Sequence, residues 1–228
     1  MRFPNVEELY NGTVTATAVT LSDPSLKAER SDAFDVSAET FWTNHTLRAS
    51  IFHDDIHDAI LRQSNNTVTP SITNVSNADH VRTTGVEVVW SARDLFVKGL
   101  SFEANSAFTR SKVLENAKDR GTEGKDFLRI PKTRATFLLA YRPDPQWMGS
   151  IGYRHSGAAY NDVYNLDINR NVYGGLSTVN QVDLKVSYKP QPRLEVAVGV
   201  DNFNNQKAYQ SHPFPGRSFV IDLRTSSR

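Results

Sequence analysis

The residues best suited to chemistry lie in three places. His53 and His57 fall four apart within HDDIHD, beside Asp54, Asp55 and Asp58. On a strand that spacing puts both imidazoles on one face, where zinc could use them. Zinc catalysis needs a third ligand and a placed glutamate, and the sequence has no HExxH, so the run reads as a solvated strand-to-loop rim. The carboxylates Glu39, Glu87, Glu103, Asp183 and Glu195 suggest a glycosidase pair. They alternate with Arg and Lys, however, and cross-strand charge pairing on a wet wall explains them more simply. YNDVYNLDINRNVYGG places Tyr160, Tyr164 and Tyr173 in one loop, and SHPFPGRSF places His212, Phe214 and Arg217 in another. Rings and amides of this kind suit a metal chelate, which they would hold by stacking and hydrogen bonding, and Arg217 suits anionic cargo. Those five residues, Tyr160, Tyr164, Tyr173, His212 and Arg217, are the candidate ligand contacts. With no nucleophile elbow or phosphate loop the chain reads as a non-enzyme, with no catalytic residue, metal site or cofactor.

The whole composition narrows the setting. The chain has 228 residues and no cysteine, which excludes disulfides and thiolate metal sites. A net charge of +1 argues against nucleic acid as a partner. There is no apolar run long enough for a membrane helix and no leader-like start.

The elements that carry these residues read as strands. Apolar residues recur at every second position along Phe34–Trp42, Leu47–Ile51, Val86–Trp90, Leu100–Phe108, Ala135–Tyr141, Trp147–Tyr153, Val182–Tyr188, Leu194–Val200 and Phe219–Leu223. These nine segments are separated by connections that alternate strictly between short and long. The short ones fall near 43–45, 93–98, 143–146 and 190–192, the long ones near 62–78, 111–129, 157–178 and 203–216. The first 33 residues read as loop, and helix has no secure place, with one or two turns conceivable over 53–63. Long loops at one end and tight turns at the other describe a transmembrane β-barrel. The only three tryptophans, Trp42, Trp90 and Trp147, each lie on an apolar face within a few residues of a short turn, as do Tyr141 and Tyr188. Indoles at one height form an interfacial girdle, whereas the core aromatics of a sandwich scatter. Nine is an odd number, which cannot close a single-chain antiparallel barrel, so the expectation is an incomplete barrel belonging to something larger.

Ordered strings sharpen that expectation. MRFPNVEELY resembles an "RxPxxxELY" segment of TonB-dependent outer-membrane receptors, and DPSLKAERSDAFDV is similar to their "NPxLKPERS" loop and the strand after it. TTGVEVVWSA, GLSFEANSAFTRSK, GKDFLRIPKTRATFLLAYRP, VDLKVSYKPQPRLEVAVGVDNFNNQKAY and PGRSF resemble later strands of that family, in order and spacing. The resemblance implies the C-terminal portion, residues 1–228, of a plugged barrel of about 22 strands. It implies uptake of ferric siderophores or related chelates, an outer-membrane location with lipid as a partner, and energy from TonB acting through an N-terminal plug. On this reading the plug and the early strands are absent, and the chain ends in TSSR where family members carry an aromatic residue. A soluble β-sandwich that binds carbohydrate or another ligand, as a module of a secreted protein, is the alternative. The two part on whether the apolar faces meet hydrocarbon or a second sheet.

Overall fold

A computed structural model describes residues 1–65 and 68–226. The tip at 66–67 of the expected loop 62–78, and the last two residues of TSSR, lie outside the described residues. The chain begins with a short helix α1 (Val6–Tyr10), then β1 (Thr13–Val14), β2 (Ala18–Leu21), β3 (Arg30–Trp42), β4 (His45–Asn65), β5 (Ser71–Ala92) and β6 (Leu100–Glu115). It continues through a 3-10 turn at Arg120–Thr122, β7 (Thr133–Tyr141), β8 (Trp147–Ser156), β9 (Val179–Gln191) and β10 (Leu194–Asp201). The small β11 (Tyr209–Gln210) and β12 (His212–Pro213) precede β13 (Ser218–Thr225).

The nine expected segments are all strands, joined in one open antiparallel meander from β3 to β10 and on to β13. With β1 and β2 the sheet has 11 strands, β2 lying parallel to the start of β5. Register carries the sequence pattern across the sheet. Val36 stands opposite Ile51, Ile51 opposite Val86 and Val86 opposite Phe108, so one apolar row crosses four strands. Phe137, Tyr153 and Val182 continue the same face across β7, β8 and β9. No second layer covers it among the described residues. Phe108 is 57% exposed, Ile51 55% and Val198 52%, which excludes a sandwich core on this side. Rings reinforce the face: Trp90 meets Phe102 edge-on at 5.0 Å, and Phe137 stacks on Tyr153 at 5.9 Å. Trp147 stacks on Tyr188 at 4.4 Å at the short-turn end of the sheet.

The opposite face is polar. Ser37 and Ser50 share a hydrogen bond of 2.9 Å, Arg154 pairs with Asp183 at 2.9 Å, and Lys189 pairs with Glu195 at 3.3 Å. Charge pairing thus accounts for Asp183 and Glu195. Glu39, Glu87 and Glu103 make no ion pair among the described residues. Gly85 is needed on this face because the Phe52 ring lies across it; a Cβ there would come within 2.3 Å of Phe52 Cζ. Gly99 has φ +85 and lies against the Arg142 carbonyl in the short β6 entry, a position closed to side chains.

Several expectations require correction. The opening 33 residues are not all loop. Asn5 caps α1 in a reciprocal box with Glu8, each bond 2.8 Å, and β3 already starts at Arg30. The segment 53–63 contains no helix, and the supposed long loop 62–78 is largely strand. β4 and β5 run 21 and 22 residues and pair out to Asn65 opposite Ile72. The alternation is hidden there because it changes phase. Asp58 adopts φ +55, its carbonyl accepts from Asn77 Nδ2 at 2.7 Å, and beyond it Ala59 and Leu61 turn to the side of Ile56 and Val81. β6 likewise extends to Glu115, into the expected loop 111–129.

That phase change builds the only cluster of buried apolar residues identified among the described residues. Ala59, Leu61, Ala78, Val81 and Val113 pack beneath Val163, with Phe127 and Leu128 beside them. A core at the long-loop end, and none behind the apolar belt, fixes the loops while leaving the belt bare.

Candidate functional site

The long connections fold down over the polar face, and each is shaped by a few polar side chains. Asn116 Nδ2 donates to Thr122 Oγ1 at 2.9 Å, and Thr122 donates to the Asp119 carbonyl at 2.7 Å, coiling the β6–β7 connection. Asp162 accepts from Leu166 N at 2.9 Å, and Asn165 Nδ2 donates to the Asp126 carbonyl at 3.0 Å, which docks the β8–β9 loop on its neighbour. In the last connection Asn202, buried with φ +52, donates to the carbonyls of Gln206 and Pro215 at 3.0 and 3.2 Å. Ser177 N then donates to the Tyr209 carbonyl at 2.9 Å, and Ser211 N to the Gly175 carbonyl at 2.9 Å, zipping the β11–β12 hairpin to the β8–β9 loop.

Two clefts result. One, of about 790 Å3, lies on the polar face under that hairpin and is lined by Glu87, Asn105, Arg134, Arg154, Gln181 and Phe214, among others. Arg154 is held by Asp183, whereas Arg134 and Glu87, both in the lining, have no ion-pair partner among the described residues, so the cleft presents one unpaired charge of each sign. The other, of about 650 Å3, opens between the ends of β4 and β5 and the β8–β9 loop, with Gln63, Asn161, Asp162, Tyr164, Asp167 and Tyr173 on its walls. Its charge is negative, and two of its acceptors, Gln63 Oε1 and Asp167 Oδ1, are buried without a hydrogen-bond partner.

The five candidate ligand residues do not form one constellation. Tyr164 and Tyr173 line the outer cleft. Tyr173 also meets His212 edge-on at 6.3 Å, with Tyr209 at 6.1 Å on the same ring. Tyr160 is covered by the Arg170 guanidinium, 4.3 Å above its ring. Tyr164 donates its hydroxyl to Asp119, and that carboxylate pushes the phenol above its usual range. Arg217 lies 5.7 Å from the Phe203 ring, away from Tyr173, and its backbone N–H donates to Asn205 Oδ1. Arg134, Arg154, Gln181 and Tyr209 were missed. The first three sit in ordinary alternating strands, and only the register that gathers β5 to β9 marks them out.

HDDIHD does place both histidines on one face. The group closes on itself: Asp55 accepts from His53 Nε2 at 2.8 Å, His80 Nε2 at 2.6 Å and Arg82 Nε at 2.8 Å. His57 stacks on His80 at 4.8 Å. No group of three ligands able to hold a metal is found among the described residues.

The comparisons decide what this architecture is. The family described as "TonB dependent receptor-like, beta-barrel" matches residues 1–203. The chain belongs to the TonB-dependent receptor β-barrel family. Among solved structures, the copper transporter OprC superposes with a TM-score of 0.76 at 19% identity, over 98% of this chain and 36% of that one. The ferric yersiniabactin uptake receptor FyuA from Yersinia pestis gives 0.68 at 22% identity, over 87% of this chain and 30% of that one. The ferric citrate transporter FecA gives 0.69 at 18% identity, over 87% and 31%. At these identities the likeness is one of fold, and the chain spans about a third of the length of these TonB-dependent receptors. No curated protein sequence matches it. Its neighbours in family and fold are transporters and receptors rather than enzymes.

Proposed function

We propose that this chain forms the C-terminal part of an outer-membrane receptor barrel that takes up an anionic metal chelate, of the ferric siderophore type, with energy drawn from TonB through a plug domain. The apolar face meets lipid tails, and the girdle of Trp42, Trp90, Trp147, Tyr141 and Tyr188 lies at the periplasmic interface. The polar face lines the lumen, and the long connections face outside. The observation that carries the cargo reading is the lumen cleft with its free Arg134 beside Arg154 and the hydrogen-bonding Gln181. Guanidinium groups in a partly dehydrated concavity attract and orient carboxylate, catecholate or hydroxamate oxygens. The bound cargo of similar folds fits this chemistry: one structure is of an enterobactin receptor in complex with enterobactin.

Binding tests the reading. Protein purified from outer membranes in non-ionic detergent is titrated with ferric enterobactin, ferric citrate and copper(II), and tryptophan fluorescence is followed. Saturable quenching by a ferric chelate, weakened about tenfold or more by Arg134→Glu, is expected, since the substitution reverses a charge facing the cargo. Unchanged affinity in that variant, or saturation by copper alone, would overturn the anionic-chelate assignment.

A further inference from the structure

The apolar face stops abruptly at its upper margin. On β6 the continuous apolar alternation of that face ends at Phe108, before Val113 and Leu114 near the strand's end, and the next residue on that face is Arg110, opposite Thr84. One step further, Arg82 on β5 stands directly opposite Lys112 on β6. Three cations therefore gather on adjacent positions of two strands, on the face that meets lipid and immediately above the belt. Like charges directly opposite each other destabilise a sheet. Only Arg82 is compensated, by Asp55, whose carboxylate is already shared with His53 and His80. Arg110 is exposed and, like Lys112, has no ion-pair partner among the described residues. Lys112 Nζ reaches only the Gly124 carbonyl, at 3.0 Å. Asp32, opposite Asp55, and Glu115, opposite His80, lie at the flanks of the patch, and Asp126, across a β-bridge from Lys112, is paired with Lys132 at 2.8 Å.

We propose that Arg110, Lys112 and Arg82 form a binding site for the phosphate of an outer-leaflet lipid. The site sits at headgroup height because it follows the paired belt residues Phe108 and Val86 without a gap, and a lipid bound there would lay its chains along them while its phosphate bridges the opposed cations. Arg110 supplies a fork of donors suited to phosphate oxygens. Thr84, opposite Arg110, adds a hydroxyl. The proposal rests on this face meeting lipid and is independent of the cargo.

The test uses protein purified from outer membranes in non-ionic detergent, titrated with bisphosphorylated lipid A, with its dephosphorylated form and with inorganic phosphate. The double variant Arg110→Gln/Lys112→Gln removes two cations that hold no ion pair, and an unchanged urea unfolding curve shows that it folds. Each cation beside an anionic surface contributes about fivefold, so the variant is expected to bind phosphorylated lipid A about thirtyfold more weakly. Its affinity for the dephosphorylated form should not change. Equal binding of phosphorylated lipid by wild type and variant would overturn the proposal. Displacement of the lipid by millimolar inorganic phosphate would also overturn it, by making this a site for soluble anions.

Discussion

Placing an arginine at Ile151 tests which medium touches the apolar face. Ile151 stands between Leu139 on β7 and Leu184 on β9, and is 44% exposed. Along β8 the girdle residue Trp147 lies four positions below it and His155, which hydrogen-bonds to Asn180 and Thr133, four above. At a rise of about 3.3 Å per residue, each margin is roughly 13 Å away along the strand, so Ile151 sits near mid-belt. An arginine on the lipid face at that depth costs about 2–4 kcal/mol. Asn105→Arg is the matched control. It faces the polar cleft from β6, opposite Thr136, where a long cation reaches water and the cost should stay within about 0.5 kcal/mol. The measurement is urea-dependent unfolding in phospholipid vesicles, followed by tryptophan fluorescence. A difference of 2 kcal/mol or more between the variants, in the stated direction, supports the lipid assignment. Equal costs, or a larger one for Asn105→Arg, would refute it.

Trp147, in vesicles containing brominated lipid, should be strongly quenched when bromine is carried near the headgroup and less when it is carried at the chain ends; the reverse order would displace the girdle from the interface. Gly85→Val should destabilise the sheet by about 1–3 kcal/mol, because the new side chain collides with Phe52 and the Phe108 carbonyl, and Phe52→Ala in the same background should recover part of that loss. Tyr164 tests the loop end by titration. Its pKa is raised by Asp119, so the stabilisation from this bond is complete below the phenol's unfolded pKa, near 10, and is lost as pH rises through the folded value. Following phenolate absorbance, Asp119→Asn should bring the Tyr164 transition to lower pH, and a transition that does not move would mean that the carboxylate is not the cause.

Strand identity was legible wherever one face meets a uniform medium. Phe34–Trp42 and Leu194–Val200 alternate cleanly because every second residue looks at the same surroundings for the whole length of the strand. The pattern failed where the surroundings change. Beyond Asp58 the β4–β5 ribbon leaves the belt, both faces become polar or loop-covered, and the phase shifts by one residue at a left-handed position. A period-2 search then reports loop although the backbone ladder continues to Asn65. β2 was invisible for a different reason: four residues, AVTL, become a strand only because the edge of β5 at Ser71–Asn74 is free to receive them. That information lies in the tertiary structure.

The candidate site divides along the same line. Loop composition pointed to Tyr164 and Tyr173, since tyrosines and amides are conspicuous outside strands, and both line the outer cleft. The cations of the inner cleft were hidden because an arginine on a polar strand face looks the same whether it is paired, as Arg154 is with Asp183, or free, as Arg134 is. Their consequence follows from where the two charges sit. The outer cleft, with Asp162 and Asp167 and without a lining Lys or Arg, repels an anionic chelate, while the inner one offers it the unpaired guanidinium of Arg134 alongside Glu87. On the proposed reading, a cargo carrying net negative charge would be passed over at the mouth and held deeper in, against the wall formed by β5 to β9. Reversing the outer cleft with Asp162→Lys and Asp167→Lys should then raise the rate of cargo capture, with more effect at low salt, while leaving the inner affinity to Arg134. A capture rate indifferent to both the substitutions and ionic strength would mean that the two clefts do not act in series on one charged ligand.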